Sequence, residues 1–127
     1  KTVDKDNTIV FYNEANKSKI IEFKKNKINL KKSNINSDKK FNIRIIMKKL
    51  YNLGCRKILI EGGNDLTNYL LKKRLFNEFY LFKSNKKLSK LVEYKEFSGL
   101  KILKQTYKNR LMLKSNFGKD TVTLYKN

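Results

Sequence analysis

The sequence predicts an α/β fold: a mixed sheet, mostly parallel, with an antiparallel C-terminal hairpin and helices on both faces. Three observations predict it. In the first half, short apolar runs alternate with segments of helical period, the signature of parallel strands joined by covering helices. At Glu61-Gly62-Gly63 a glycine corner separates an apolar run from a helix start. At the C-terminus a turn precedes an alternating segment, which reads as the second arm of a hairpin.

Taken in order, residues 8–12 (TIVFY) are rich in β-branched and aromatic side chains and read as a buried strand. Asn13 can cap a helix running to about Lys25, with Ile20, Ile21 and Phe23 as its apolar positions. Ile28 and Leu30 alternate with polar neighbours and give a second short strand, and the polar residues 31–40 read as a loop. The helical period is clearest over residues 42–53. There Ile43, Ile46, Met47, Leu50 and Leu53 share one face, and Gly54 stands where a C-cap belongs. Ile58, Leu59 and Ile60 form a continuous apolar run, as in a strand covered on both faces. Asn64 or Asp65 can cap the next helix, whose apolar positions include Leu66 and Leu70, four apart. Residues 78–83 make a strand dense in aromatics, and residues 84–99 a polar excursion with room for one helical turn. Residues 100–114 alternate imperfectly and read as one or two strands. Residues 116–120 (NFGKD) form a turn, and residues 121–125 alternate with Val122 and Leu124 on one face. With no linker or repeat in view, residues 1–127 read as a single domain.

Composition narrows the function classes. No stretch of about 18 apolar residues exists, so no membrane span is expected. The first seven residues are charged and lack the apolar centre of a signal peptide, and the single Cys55 cannot form an internal disulfide; a cytoplasmic setting is expected. No histidine is present, so neither a zinc constellation nor an activated cysteine nucleophile can be assembled. The formal charge of +20 raises nucleic-acid binding as an alternative. However, the cations are 27 Lys against 4 Arg and are spread over nearly every segment. Base reading favours Arg, and scattered lysines describe solubility and weak association rather than a specific site.

The glycine corner carries the chemistry. A helix start leaves backbone N–H groups unpaired at the positive end of the helix dipole. Glycines let a phosphate approach those groups closely. Glu61 adds one carboxylate at the mouth. Many such corners bind nothing, and the pattern is neither a Walker loop nor Gly-x-Gly-x-x-Gly.

Read with its flanks, this segment resembles the reductase domain of the bifunctional riboflavin-biosynthesis deaminase–reductases. The residues that carry the resemblance are Leu53-Gly54, Ile58 to Ile60, Glu61-Gly62-Gly63, Leu66, Leu70-Leu71, and Leu75-Phe76-Asn77-Glu78 leading into a strand. Departures are Phe76-Asn77 in place of Val-Asp, and residues 83–89, which lack the family's proline and glycine. The resemblance implies a dihydrofolate-reductase-like fold and NADPH-dependent reduction of the ribosyl side chain of 5-amino-6-(5-phosphoribosylamino)uracil to the ribityl form. It implies that Glu61 contacts the substrate. Gly63, Asn64, Asp65, Leu66 and Thr67 would line the cofactor phosphates, mainly through backbone N–H groups. No side chain is assigned as catalytic and no metal is expected, because hydride comes from the cofactor. The chain opens on Lys1 and is expected to begin inside the domain, with the family's earlier strands and a zinc deaminase domain upstream. A homo-oligomer is expected, with no specific nucleic acid and no membrane as partner. The competing readings are another NADPH reductase of the same fold and a basic nucleic-acid-binding module.

Overall fold

A computed structural model describes residues 7–86, 97–114 and 118–127. These residues fall into two compact units, Lys1–Leu59 and Ile60–Asn127.

The first unit holds two strands and two helices. Strand β1 (Ile9–Tyr12) pairs in parallel with β2 (Asn29–Lys32), Ile9 opposite Asn29 and Tyr12 opposite Lys32. Between them runs helix α1 (Lys17–Lys25), the expected crossover. Its cap is Asn16, whose side chain accepts from the Lys19 N–H at 2.9 Å, three residues beyond the expected Asn13. The β-rich strand is four residues long and only half-buried, not fully buried as its composition predicts. Helix α2 (Ile43–Asn52) is capped by Asn42, which accepts from the Arg44 and Ile45 N–H groups. It ends at Gly54, whose φ of +94° no side-chain-bearing residue adopts readily. The Gly54 and Cys55 N–H groups bond back to the Tyr51 and Leu50 carbonyls, closing a Schellman motif.

The second unit is a three-stranded antiparallel sheet with two helices. Helix α3 (Asn64–Lys72) leads into β3 (Glu78–Lys83); helix α4 (Gly99–Thr106) precedes β4 (Arg110–Leu113) and β5 (Thr121–Lys126). The strand order is β3-β5-β4. Register places Phe79 opposite Tyr125 and Leu81 opposite Thr123, so Phe79, Leu81 and Tyr125 share one face. That face meets the helices: Leu71, Leu103, Tyr107 and Tyr125 form the core, with Phe76, Phe79, Leu81, Phe97 and Ile102 packed against it. The Tyr107 hydroxyl donates to the Leu71 carbonyl at 2.6 Å, joining the two helix ends inside the core.

Three expectations are corrected. The described strands form two sheets, one parallel and one antiparallel, not one mostly parallel mixed sheet. The strand expected at Ile58 to Ile60 is not formed. These residues are 43, 85 and 37 % exposed and pair with no described strand. A run of three apolar residues between Arg56-Lys57 and Glu61-Gly62-Gly63 is a strand only if neighbours accept its backbone, because β-propensity measures fit to a sheet. Residues 99–106 form a helix instead of a strand. Leu100, Leu103 and Tyr107 recur at helical spacing, and burying Leu103 completely outweighs the partial alternation. Of the polar excursion and the NFGKD turn, residues 87–96 and 115–117 lie outside the described residues.

Candidate functional site

The glycine corner lies in the second unit, at the start of α3. Gly63 is the N-cap, not Asn64 or Asp65, and contributes no side chain to the helix amides. The first intrahelical bond runs from the Thr67 N–H to the Gly63 carbonyl at 3.1 Å. The amides of Asp65 and Leu66 therefore have no acceptor among the described residues. Such orphan donors at the positive end of a dipole are the physical requirement for holding an anion.

The two glycines do different work. A Cβ on Gly62 would sit 2.9 Å from Leu66 Cδ2, so this position is glycine because the helix folds back over it. A Cβ on Gly63 would meet nothing within 4 Å. Its bareness is not needed for packing, and it leaves the approach to the helix start open.

Around this corner the expected site residues divide. Glu61, Gly63 and Asp65 are exposed. Glu61 has no hydrogen-bond or ionic partner among the described residues, so its carboxylate is available to a ligand. Asp65 stands in the first turn, where its charge complements the dipole and also repels an incoming anion. Thr67 spends its hydroxyl on the Gly62 carbonyl at 3.2 Å, which ties the corner together. That donor is therefore engaged within the fold. Leu66 is half-buried and packs over Gly62.

Asn64 belongs to a polar cluster that sequence reading missed. Asn68 Nδ2 donates to Asn64 Oδ1 at 3.0 Å and to Ser98 Oγ at 2.6 Å. Ser98 precedes α4, so the cluster fastens the two helices together. Asn68 Oδ1 is buried without a partner. The signal was faint in the sequence, because the Asn68–Ser98 contact spans 30 residues. Gly99 completes the join: a Cβ there would sit 2.8 Å from Leu71 Cδ1 and overlap the Phe97 ring. The helix carrying the corner is thus held by side-chain bonds as well as by its apolar face.

These features define a class: an α/β domain with a glycine-opened helix start suited to an anionic ligand and a carboxylate beside it. The sequence matches the RibD C-terminal domain family over residues 1–121, and the chain belongs to that family. The family is that of the riboflavin-pathway reductases. A search of curated proteins finds no match. No helix among the described residues is long and apolar enough to cross a membrane. No cluster of three or more His, Cys, Asp or Glu among them could hold a metal ion.

Proposed function

We propose that this chain takes part in the NADPH-dependent reduction of a phosphorylated ribosylamino-pyrimidine, 5-amino-6-(5-phosphoribosylamino)uracil, to its ribityl form. The observation that carries this reading is the start of α3: unpaired amides at Asp65 and Leu66, an uncrowded Gly63, and the partnerless carboxylate of Glu61 beside them.

The donor set fits a cofactor phosphate. Backbone N–H groups on Asp65 and Leu66 would hold it, with Gly63 and Asn64 setting the approach. NADPH, when bound, supplies the hydride. The protein's task is then alignment and charge management rather than acid–base chemistry. Glu61 accepts hydrogen bonds from sugar hydroxyls or ring N–H groups and so orients the acceptor carbon. The positive field of a chain with charge +20 favours the approach of both phosphorylated ligands.

Two variants test the assignment by titration of each ligand. Glu61→Gln is expected to weaken substrate binding about tenfold while leaving NADPH affinity nearly unchanged, the loss of one charge-assisted hydrogen bond. Equal loss of both ligands rejects the role given to Glu61. Gly63→Val is expected to abolish NADPH binding with the circular dichroism spectrum intact, since its side chain enters open space. Retained NADPH affinity rejects the cradle.

A further inference from the structure

Helix α3 starts differently from α1 and α2. At the starts of α1 and α2 the side chains of Asn16 and Asn42 accept from first-turn amides, Lys19 in one and Arg44 and Ile45 in the other. Those bonds hold the helix starts and also occupy the donors that an anion would use. Helix α3 has the bare Gly63 as its cap, so its amides stay free and its first turn lacks that support. A helix start without a side-chain cap is prone to fray.

The support comes from the side instead. Asn64 is the first residue of α3, and Asn68 stands one turn further on, on the same face. Asn68 Nδ2 carries two hydrogens and uses both, one toward Asn64 Oδ1 at 3.0 Å and one toward Ser98 Oγ at 2.6 Å. The Ser98 hydroxyl lies 3.5 Å from Asn64 Oδ1 and closes the ring. Ser98 is itself the N-cap of α4, yet its side chain makes no capping bond to its own helix. A ring of three side chains thus ties the first turn of α3 to the start of α4, and no side chain caps the amides of either helix.

Asn68 is an unfavourable choice for stability alone. Its Oδ1 is buried and has no partner among the described residues, a burden that an alanine would not carry. Asparagine is also a weaker helix former than alanine. A residue that breaks local rules without a stabilising gain points to function. We infer that Asn68 and Ser98 are positioning residues for the anion corner. They fix the first turn of α3 from outside, so that its amides keep one geometry while no cap occupies them. The inference rests on the reading of α3 as the holder of a cofactor phosphate. Asn68 and Ser98 are assigned no contact with that phosphate; each acts through Asn64 and the turn that begins there.

The Thr67 amide donates to the Gly63 carbonyl, so its hydrogen exchange reports opening of this turn in the free chain. Asn68→Ala is expected to speed that exchange and to weaken NADPH binding by the whole chain, about fivefold each, the factor that matches one lost cap. Its urea midpoint is expected to stay level or rise, because the orphaned Oδ1 leaves with the side chain. Ser98→Ala is expected to change exchange and affinity in the same direction, and Ser98→Thr, which keeps the hydroxyl, to behave as wild type. A lower midpoint in Asn68→Ala, with exchange and affinity following it, marks a purely structural role and overturns the inference. Wild-type exchange and affinity in Asn68→Ala overturn it too. Each NADPH titration is paired with one of inorganic pyrophosphate, followed through the Asp65 and Leu66 amide resonances. A chain that shifts those resonances with pyrophosphate yet ignores NADPH rejects the cofactor, and the positioning role then stands or falls on the same fivefold loss measured for pyrophosphate. A chain that binds neither overturns both readings.

Discussion

Tyr107 shows how much one side chain can hold. It is buried, its ring packs at 4.9 Å from that of Phe76, and its hydroxyl donates to the last turn of α3. Burial raises its pKa above the ordinary 10.0, partly offset by the charge of Arg74. The hydroxyl must keep its proton to donate, so ionisation is linked to unfolding. Above about pH 10 the unfolded chain loses this proton and the folded chain keeps it. The contribution is therefore complete below the unfolded value and is lost as pH rises through the folded one. Tyr107→Phe is expected to cost about 1–2 kcal/mol at neutral pH, because the Leu71 carbonyl is left unpaired in the core. In urea titrations at increasing pH, the gap between wild type and variant should then close above pH 10. A gap that stays constant into the alkaline range contradicts the linkage.

At the scale of elements, three helices end the same way. After α1 the Lys27 and Ile28 N–H groups bond to Lys24 and Phe23; after α3 the Arg74 and Leu75 N–H groups bond to Leu71 and Leu70. Both repeat the closure seen after α2, but there the left-handed position is Gly54, whereas here it is Lys27 (φ 56°) and Arg74 (φ 52°). A non-glycine residue pays roughly 1 kcal/mol for that conformation. Arg74→Gly is accordingly expected to raise the urea midpoint, by up to about 1 kcal/mol in stability, with the helix boundaries unchanged. A lowered midpoint means that Arg74 contributes more through its side chain than its backbone loses. The same comparison shows which elements the sequence discloses. The α2 helix was legible because its period and Gly54 agree, and β3 and β5 because aromatics and alternation agree. Residues 99–106 were misread because a helical and an alternating pattern overlap at Leu100, Ile102 and Leu103. The Ile58 to Ile60 segment was misread because apolar character states what a residue prefers, while strand formation also needs a partner. The glycine corner itself was legible; its cap, Gly63, and the Asn64–Asn68–Ser98 join were not, since both depend on contacts that spacing does not encode.

At the scale of the whole molecule, charge dominates. Thirty-one cations against eleven anions leave a net +20 on 127 residues, most of it on exposed lysines. Like charges repel over a distance that salt shortens to about 8 Å at physiological ionic strength. Raising sodium chloride from a few millimolar to about 0.15 M is therefore expected to increase the urea midpoint. A midpoint that stays level or falls shows that local ion pairs, not mutual repulsion, control stability. Family membership extends over residues 1–121 and so embraces both compact units, although the anion-suited corner belongs to the second alone.

The bare triplet Ile58-Leu59-Ile60 has a price beyond the missing strand. Branched hydrocarbon standing in water is where a protease finds extended backbone to thread and where a newly made chain adheres to its neighbours. Arg56 and Lys57 on one flank and Glu61 on the other act as gatekeepers, making the stacking of identical copies electrostatically awkward. Neutralising those flanks would remove the safeguard and leave an adhesive spot in the chain.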